Sequence, residues 1–500
     1  MIMKKIAIID LGSNSVRMNI YHINEQGGYS LSEQLKEMVR LAKGMGTDLI
    51  LKKTQIEKTI QTLKFFKSVI EESSVSEAYY FATAALRQAK NQAEVIEQIA
   101  NEVGIEFDIL DGQEEAYLDY LGAINTIEKN RAIIVDVGGA STEIIKVDHR
   151  RMSDAISLPM GSVNLSERYK HSRQADKYFA THLDQLSFVH RGYDVIGLGG
   201  VIRTLGKIHK AQNKAYLEDL HHYEISNKDA LDLIDKMMNM DHKALQRLDG
   251  LSSKRVDIIK SGLVPVKHVL QMTGGNLTIC AYGIREGFLF KEILFKNAQP
   301  VLASALEHSI ENICKKYSVS TEHADRVRFF TKKLTEGFQQ KLTITENEMK
   351  LLDIASRVHY IGMHVNYYNH HIHGMHIMLV ERIAGLTSRE QFSVAYLIAN
   401  HRRLDLPVFF DSYKHYIGNE GILRLKRLSI ILKIAEQMDK GESGKISDLK
   451  VAFNNGTCSI TLESSSQVET SIRSVLQYKD LFKKHEKKNL VIIHKGNTYK

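Results

Sequence analysis

The sequence has little of several features that mark particular classes of protein. Its 500 residues include no tryptophan, four prolines and three cysteines. Cys280, Cys314 and Cys458 lie far apart and match neither a metal-ligand spacing nor a disulfide framework, which favours a reducing cytoplasm. The scarcity of proline, with no Pro/Ser-rich tract, predicts domains that are joined by short turns or helices rather than by flexible tethers.

Long apolar runs are also missing. No segment approaches the roughly 18 consecutive apolar residues of a membrane span. The apolar run near the N-terminus, Ile6 to Ile9, is interrupted by Asp10, so it is more typical of a buried strand than of a signal peptide. We therefore expect a cytoplasmic protein without a membrane span.

Composition and charge describe a folded, basic chain. A hydrophobic content of 43% and a charged content of 25% exclude wholesale disorder, and the length suggests about three domains at roughly 100–200 residues each. The 67 basic and 59 acidic side chains give a net charge of +8, which favours anionic partners such as nucleotides, phosphates, nucleic acid or acidic lipid. A specific nucleic-acid partner is not expected, because the sequence has no recognisable binding module or Arg-rich arm.

An internal repeat is the most informative feature. Residues 6–15 reappear as residues 132–141, so that Asp10 and Asp136 occupy equivalent positions 126 residues apart. In each copy a β-branched apolar run ends in the aspartate, a small-residue loop with a hydroxyl follows, and a second β-leaning segment comes next. Each copy therefore predicts a strand, a turn and a strand.

The chemistry of these two loops suits a phosphate chain. A Gly/Ser turn lets backbone N–H groups approach an anion closely, and an aspartate at a strand end can hold a divalent cation. Two such hairpins facing each other across a cleft would hold a phosphate chain from both sides. The alternative for each copy is an ordinary β-hairpin with a tight turn.

Two further loops are candidates for the same cleft. The segment from Tyr193 to Val201 predicts a short strand that runs into Gly199 and Gly200 and then a helix, an arrangement that can offer a helix N-terminus to an anion. Arg87 could supply a bidentate phosphate contact. Simple packing of the glycines, and a solvated arginine at a helix start, are the alternatives.

Acidic residues open the next predicted helix. Asp111 is a plausible N-cap with Glu114 as its capping-box partner, which leaves Glu115 in the first helical turn. A carboxylate at this place could take a proton from an attacking water, or it could simply satisfy the helix dipole. Glu143, just past the second loop, could reach a metal or the same water, or it could be a solvated residue on the outer face of a hairpin.

Together these segments resemble the exopolyphosphatase and guanosine pentaphosphate phosphohydrolase family of the actin-like ATPase and sugar-kinase superfamily. The resemblance covers residues 1 to about 297. It rests on six ordered motifs: Asp10-Leu11-Gly12-Ser13-Asn14-Ser15, Ala82-Thr83-Ala84-Ala85-Leu86-Arg87, Gly112-Gln113-Glu114-Glu115-Ala116, Asp136-Val137-Gly138-Gly139-Ala140-Ser141-Thr142-Glu143, Gly197-Leu198-Gly199-Gly200 and Tyr282-Gly283-Ile284-Arg285-Glu286-Gly287.

The resemblance implies an α/β fold with two ribonuclease-H-like domains, residues 1–122 and 123–297, and an active site in the cleft between them. An α-helical HD-like domain at 298–444 and a small C-terminal α+β cap, rich in strands, at 445–500 would follow. It also implies Mg²⁺-dependent, processive release of orthophosphate from chain ends and a homodimer, with a monovalent cation such as K⁺ left open.

The resemblance assigns roles to individual residues. Glu115 would be catalytic, and Asp10, Asp136 and Glu143 would bind the metal. The predicted phosphate-binding residues are Gly12, Ser13, Asn14, Ser15, Arg87, Gly138, Gly139, Ala140, Ser141, Thr142, Gly199 and Gly200.

Two positions depart from the family pattern. Ala140 stands where the family usually has a third glycine, which would cost of order 1 kcal/mol if the backbone there needed a positive φ. Val201 stands where a threonine is usual and removes a phosphate-binding hydroxyl. Since the carboxylates are intact, we still expect activity.

The second half of the chain predicts helices from about Pro300, with apolar spacing at Leu302, Leu306, Ile310 and Ile313. A cluster of histidines follows, and it invites a metal hypothesis: His359, His364, His370, His371, His373 and His376.

Within this cluster, the segment around His359 resembles an HD-type domain. Tyr360 stands where such a metal pair needs aspartate, so a metallo-phosphohydrolase site of that type is not expected here.

The remaining C-terminal segments are basic or β-leaning. Residues 423–433 combine an apolar helical stripe with cations, which predicts either an ordinary amphipathic helix or a basic wall for a polyanion. The tail from about Lys445 alternates in polarity and predicts strands. Within it, Lys483, Lys484, Lys487 and Lys488 add positive charge that is typical of a solvated surface.

Four functions remain open from the sequence. The leading hypothesis is an exopolyphosphatase that acts on inorganic polyphosphate. Guanosine pentaphosphate would use the same cleft motifs, so its hydrolysis is the first alternative. A non-catalytic regulator that binds polyphosphate or a nucleotide is the second, and an ATPase or sugar kinase, for which no adenosine pocket is evident, is the most distant.

Overall fold

A computed structural model describes residues 4–169, 171–213, 219–296, 298–402, 414–454 and 456–500. The chain forms two compact units. One contains the chain up to Glu25 together with Tyr29–Leu306, and the other contains Gln26–Gly28 and Glu307–Lys500. Asn297, at a predicted domain boundary, lies outside the described residues. No helix in the described part of the chain is both long and apolar enough to cross a membrane.

The first unit begins with a five-stranded sheet in the order β3-β2-β1-β4-β5. Its first three strands are antiparallel neighbours, whereas β4 and β5 run parallel to β1. The strands are β1 Lys4–Leu11, β2 Val16–Ile23, β3 Tyr29–Glu37, β4 Glu77–Ala82 and β5 Asp108–Ile109. The helices of this part are α1 Lys53–Glu72, α2 Ala84–Gln88, α3 Gln92–Val103 and α4 Gly112–Ile124.

A second sheet of six strands has a matching arrangement when it is read in the order β8-β7-β6-β9-β11-β10. The first three strands are again antiparallel neighbours, β9 lies parallel to β6 and to β11, and β10 adds an antiparallel strand at the edge. The strands are β6 Arg131–Val137, β7 Thr142–Asp148, β8 Arg151–Leu158, β9 Asp194–Leu198, β10 Tyr223–Ile225 and β11 Leu277–Ile279. The helices are α5 Ser162–Arg168, α6 Ser172–Ala180, α7 Gly199–Gln212, α8 Asn227–Asn239, α9 His242–Gln246, α10 Ile259–Thr273 and α11 Ile284–Phe288.

The repeat predicted from the sequence is therefore a repeat of topology. The central strands β1 and β6 are buried along almost their whole length, because helices cover both faces of each sheet. This explains why their sequences are continuous apolar runs rather than alternating ones. Both apolar runs end at an aspartate near the carboxyl end of the strand, Asp10 in β1 and Asp136 in β6.

The second unit is helical and ends in a small sheet. Its helices are α12 Ala305–Lys316, α13 Thr321–Phe338, α14 Glu346–Val358, α15 His370–Val380, α16 Ser388–Asn400, α17 Lys414–Met438, α18 Glu469–Leu476 and α19 Lys479–Glu486. The sheet runs in the order β12 Ile446–Asn454, β13 Thr457–Ser464, β14 Asn489–His494 and β15 Asn497–Tyr499. The alternation from about Lys445 thus correctly predicted strands. Leu302 was wrongly included in the first helix, which begins at Ala305.

Candidate active site

Two hairpin turns frame a cavity of about 120 Å³ in the first unit. The first turn lies between β1 and β2, where the N–H of Gly12 donates to the carbonyl of Ser15 at 3.1 Å. The second lies between β6 and β7, where the N–H of Gly138 donates to the carbonyl of Ser141 at 3.0 Å. The prediction of two equivalent strand–turn–strand motifs is confirmed.

The two turns lie against each other. A Cβ atom on Gly139 would stand 2.8 Å from the Cβ of Ser13, so a larger residue at position 139 would push the hairpins apart. The carbonyls of Gly138 and Gly139 accept hydrogen bonds from the N–H groups of Ser162 and Val163 at the start of α5. These hydrogen bonds hold the second turn against the start of α5.

A third glycine segment contributes to the same cavity. Gly199 and Gly200 open α7 directly after β9, as the sequence predicted, and both line the cavity. Gly199 has a φ of +82°, and a Cβ there would lie 2.3 Å from Oδ1 of Asp136. Glycine is required at this position both for its backbone conformation and for the space that the carboxylate occupies.

Three of the predicted carboxyl groups belong to this cavity. Asp10, Glu115 and Asp136 all line it, as predicted. Glu115 lies in the first turn of α4, where Asp111 caps the helix and forms a capping box with Glu114, as predicted. Burial raises the pKa of Glu115 to about 7, and the charges of Asp136 and Asp10 act in the same direction against the opposing effect of Arg87.

Arg87, predicted to contact phosphate, contacts Glu115 instead. One guanidinium nitrogen, Nη1, lies 2.8 Å from Oε2 of Glu115 and donates to the carbonyl of Leu110 at 2.6 Å. The side chain is not among the residues that line the cavity. This geometry supports a role in holding Glu115, and it gives no support to a direct phosphate contact.

Three other predicted residues lie outside the cavity wall. The hydroxyl of Thr142 donates to the carbonyl of Met160, and Ala140 is buried in the apolar core. Ala140 does not adopt a positive φ, so the substitution of the expected glycine carries no backbone strain. Glu143 is 1% exposed, and its Oε1 accepts a hydrogen bond from the hydroxyl of Ser157 at 2.7 Å.

Val201, the other departure from the family pattern, faces the interior. Its side chain is 1% exposed, and a Cβ on Gly262 of α10 would lie 2.6 Å from its Cγ2 methyl group. A hydroxyl group at this position would meet the packed side of α7 rather than the cavity.

A cluster of cations in the same cavity was not predicted from the sequence. Arg17, Arg203, Arg255 and Arg285 line the cavity, and Lys36 is the cross-strand partner of Arg17. Burial and the charges of the neighbouring arginines lower the pKa of Arg17 to about 9, and burial with the same four arginines lowers that of Lys36 to about 7.

Some of these cations could have been found from the sequence, and others could not. Arg285 belongs to a motif that carried the resemblance, and Arg17 follows the first loop by two residues. Arg203 and Arg255 carry no such signal, since distant parts of the chain bring them together. The carboxyl group of Asp119 was also missed, although it lies one helical turn after Glu115 and therefore on the same face of α4.

The predicted metal ligands were compared with the geometry of the site. Among the described residues, no group of three or more His, Cys, Asp or Glu side chains is arranged to hold a metal ion by itself. Oδ1 of Asp136 and Oδ1 of Asp119 are nevertheless buried without a hydrogen-bond partner in the described part of the chain. Such atoms are rare in folded proteins and commonly indicate a missing ion or water.

The histidine cluster lies in the second unit. Nδ1 of His323 lies 2.7 Å from Oδ2 of Asp439, and the hydroxyl of Tyr360 donates to Oε1 of Glu436 at 2.9 Å. His359 and His401 are buried with their Nδ1 atoms against backbone carbonyls. Burial lowers the pKa of both imidazoles, so they are neutral core groups at physiological pH.

Three cations of α17 have partners in the same unit. Arg424 pairs with Glu348, and Arg427 pairs with Glu486 at 2.7 Å. Lys433 is 1% exposed, and its ammonium group donates to the carbonyl of Arg402 at 2.8 Å. Of the two readings of this segment, the contacts favour an amphipathic helix over a basic wall.

Comparison with known proteins agrees with this architecture. A family model described as the Ppx/GppA phosphatase family matches residues 20–295, and one described as domain III of the Ppx/GppA phosphatase matches residues 306–485. An exopolyphosphatase from Cytophaga hutchinsonii has a similar fold, with a TM-score of 0.55 at 23% identity over 60% of this chain and 100% of that one.

A Ppx/GppA protein from Aquifex aeolicus gives a TM-score of 0.50 at 28% identity, covering 59% of this chain and 98% of that one. The family models cover both units, and the first match includes most of the residues that surround the cavity. On this evidence the chain belongs to the Ppx/GppA phosphatase family.

Proposed function

We propose that the protein is an exopolyphosphatase, which releases orthophosphate from the ends of inorganic polyphosphate. The observation that carries this proposal is the cation cluster of Arg17, Lys36 and the three other cavity arginines. Burial and the mutual repulsion of these cations lower the pKa values of Arg17 and Lys36, and a polyanion would relieve this repulsion. Guanidinium groups also match phosphate oxygens in geometry.

The turns would hold the terminal phosphoryl group. Residues of both hairpins line the cavity, so the hydroxyls of Ser13 and Ser141 and neighbouring backbone N–H groups would contact the phosphoryl oxygens. The N-terminus of α7 adds further N–H donors at Gly199 and Gly200. These groups are fixed by the fold before the substrate arrives, which is the arrangement that stabilises developing charge most effectively.

Glu115 would activate the attacking water. A general base works best when its pKa lies near the working pH, and the pKa of Glu115 is raised to about 7. Arg87 holds one carboxylate oxygen in place. Its positive charge also prevents the pKa of Glu115 from rising further.

The residues present also fit a divalent cation. Asp10 and Asp136 line the cavity, and an oxygen of Asp136 has no hydrogen-bond partner in the described part of the chain. Mg²⁺ is usually held by one or two carboxylates, substrate phosphates and water, so a site of three protein ligands is not needed. When bound, such a cation neutralises charge on the phosphoryl oxygens. Glu143, which is buried next to the cavity rather than lining it, would support this site indirectly. The monovalent ion and the homodimer remain predictions.

The same cavity would also accept the phosphates of guanosine pentaphosphate. Its lining of glycine turns and arginines suits the phosphate chain of either substrate. Polyphosphate is the favoured substrate because eight of the described lining residues are charged and only one lining residue, Tyr282, is aromatic.

The test is orthophosphate release by the purified chain with Mg²⁺, from long-chain polyphosphate and from guanosine pentaphosphate in parallel. The proposal predicts a kcat/KM that is higher for polyphosphate. Preference for the nucleotide would replace it with the nucleotide phosphohydrolase. Tight polyphosphate binding with no release from either substrate would favour a non-catalytic regulator, and ADP production from ATP would favour an ATPase or kinase.

A further inference from the structure

Asp119 is a buried acidic residue in the active-site cavity to which the function proposed above gives no role. It lies on α4 one turn after Glu115, is 1% exposed and lines the cavity. Its carboxyl group is within hydrogen-bonding distance of Asp136. One oxygen of each residue, Oδ1, is buried without a hydrogen-bond partner in the described part of the chain.

Carboxyl groups are the charges that act most strongly on Asp119. They belong to Asp136, Glu143, Glu115 and Asp10. Arg203 acts on Asp136, and Nη1 of Arg285 lies 3.4 Å from Oδ2 of Asp10. A buried carboxylate that faces other carboxylates is unfavourable unless it takes up a proton or a cation lies between them.

The backbone leaves room beside both unpartnered oxygens. A Cβ on Gly283 would lie 3.3 Å from Oδ1 of Asp119, and a Cβ on Gly199 would lie 2.3 Å from Oδ1 of Asp136. Any side chain at either glycine would crowd one of these oxygens. The two carboxyl groups are therefore adjacent in a space that is bounded by glycine backbone.

We propose that Asp119 is a direct ligand of the divalent cation and that it shares the ion with Asp136. Carboxylate oxygens are the ligands that Mg²⁺ and Mn²⁺ prefer, and two of them with water and a substrate phosphate complete such a site. This inference rests on the proposed function in that the same cation serves phosphate release.

The probe is Mn²⁺ alone, measured by isothermal titration calorimetry and by electron paramagnetic resonance on the full chain without any phosphate compound. Asp119→Asn keeps the shape of the side chain and can still donate to Asp136, so the fold should persist. Loss of a direct ligand should weaken Mn²⁺ binding at least as much as the roughly 10-fold that loss of a supporting group causes. Asp108→Asn, which removes the same charge at an exposed position, should bind as the wild type does.

Equal Mn²⁺ affinity and stoichiometry in Asp119→Asn and the wild type would overturn the proposal and leave Asp119 as a protonated neighbour of Asp136. A second measurement does not depend on any variant. Crystals of the wild-type chain soaked in Mn²⁺ should show an anomalous scattering peak in contact with both Asp119 and Asp136, and a peak that contacts Asp136 without Asp119 would refute the inference.

Failure of this inference can be told apart from failure of the proposed function. If Mn²⁺ binding is lost in Asp119→Asn but neither substrate releases phosphate, the metal site stands and the proposed function falls. If phosphate is released and Mn²⁺ binding does not depend on Asp119, the proposed function stands and this inference falls.

Discussion

Replacing Arg87 by glutamine separates two roles that this arginine can have. If Arg87 holds Glu115 by its positive charge, its removal should raise the pKa of Glu115 further above the ordinary value. An opposite charge at close range commonly shifts a carboxyl pKa by about 1–3 units. If Arg87 contacts phosphate instead, its removal should raise KM at every pH.

The size of the effect follows from the pKa of Glu115, which is about 7 in the wild type. About half of the enzyme then has an ionised Glu115 at neutral pH. A rise of about one unit, the lower end of the expected range, would leave about one eleventh ionised, a roughly fivefold loss of kcat/KM. Near pH 9 almost all of both enzymes would be ionised, so the difference should nearly vanish.

The assay is orthophosphate release from polyphosphate by Arg87→Gln and wild type across this pH range. Arg173→Gln, an exposed arginine on α6, is the matched control and should follow the wild-type profile. A loss of equal size at every pH, carried by KM alone, would refute the role of Arg87 in holding Glu115 and restore the phosphate contact.

Three further variants test other parts of the site. Gly199→Ala should lose at least about tenfold in kcat because the new Cβ displaces the side chain of Asp136. Its melting temperature should fall as well, since an alanine in the left-handed conformation costs about 1–2 kcal/mol. Gly274 also has a positive φ, but a Cβ there would meet no atom within 4 Å, so Gly274→Ala should lose stability without losing kcat. Equal kcat losses in Gly199→Ala and Gly274→Ala would refute the clash with Asp136. Arg255→Gln should raise KM for polyphosphate about tenfold, as expected for a lost charge-assisted hydrogen bond. Lys254→Gln, at the exposed neighbouring position, should leave KM unchanged. Equal KM values in the two variants would refute a contact between Arg255 and the substrate. Glu143→Gln should raise the melting temperature at pH 8 but not near pH 4. Because the pKa of Glu143 is raised in the folded state, the unfolding free energy of the wild type falls as the pH rises from the ordinary glutamate pKa to the folded-state pKa, and glutamine removes this loss. No gain at pH 8 would show that the buried charge is compensated.

Local sequence signals predicted the scaffold of the site well. The two aspartate-terminated strands, their turns and the capping box before Glu115 are set by residues that are close in sequence, so motif and spacing were sufficient. The equivalence of the two sheets followed from the repeat that ends at Asp10 and Asp136. These features depend on backbone chemistry that a short segment largely determines.

The parts that sequence did not predict depend on tertiary contacts. Arg203 and Arg255 reach the cavity from different segments of the chain. The sequence of neither segment indicates that its arginine lies in the cavity. The placement of Arg87 depends on the distance between α2 and α4, which the motif around it does not encode. Asp119 is the exception, since its position four residues after Glu115 on a helix was sufficient to place both on one face.

The central claim is that Glu115 activates water at the end of a bound phosphate chain. The most direct test is orthophosphate release from long-chain polyphosphate by the wild type and by Glu115→Gln, with polyphosphate binding measured in parallel on both. The account predicts that Glu115→Gln loses about 100-fold or more of the turnover while its affinity for polyphosphate stays close to that of the wild type. Equal turnover in the two proteins would contradict it.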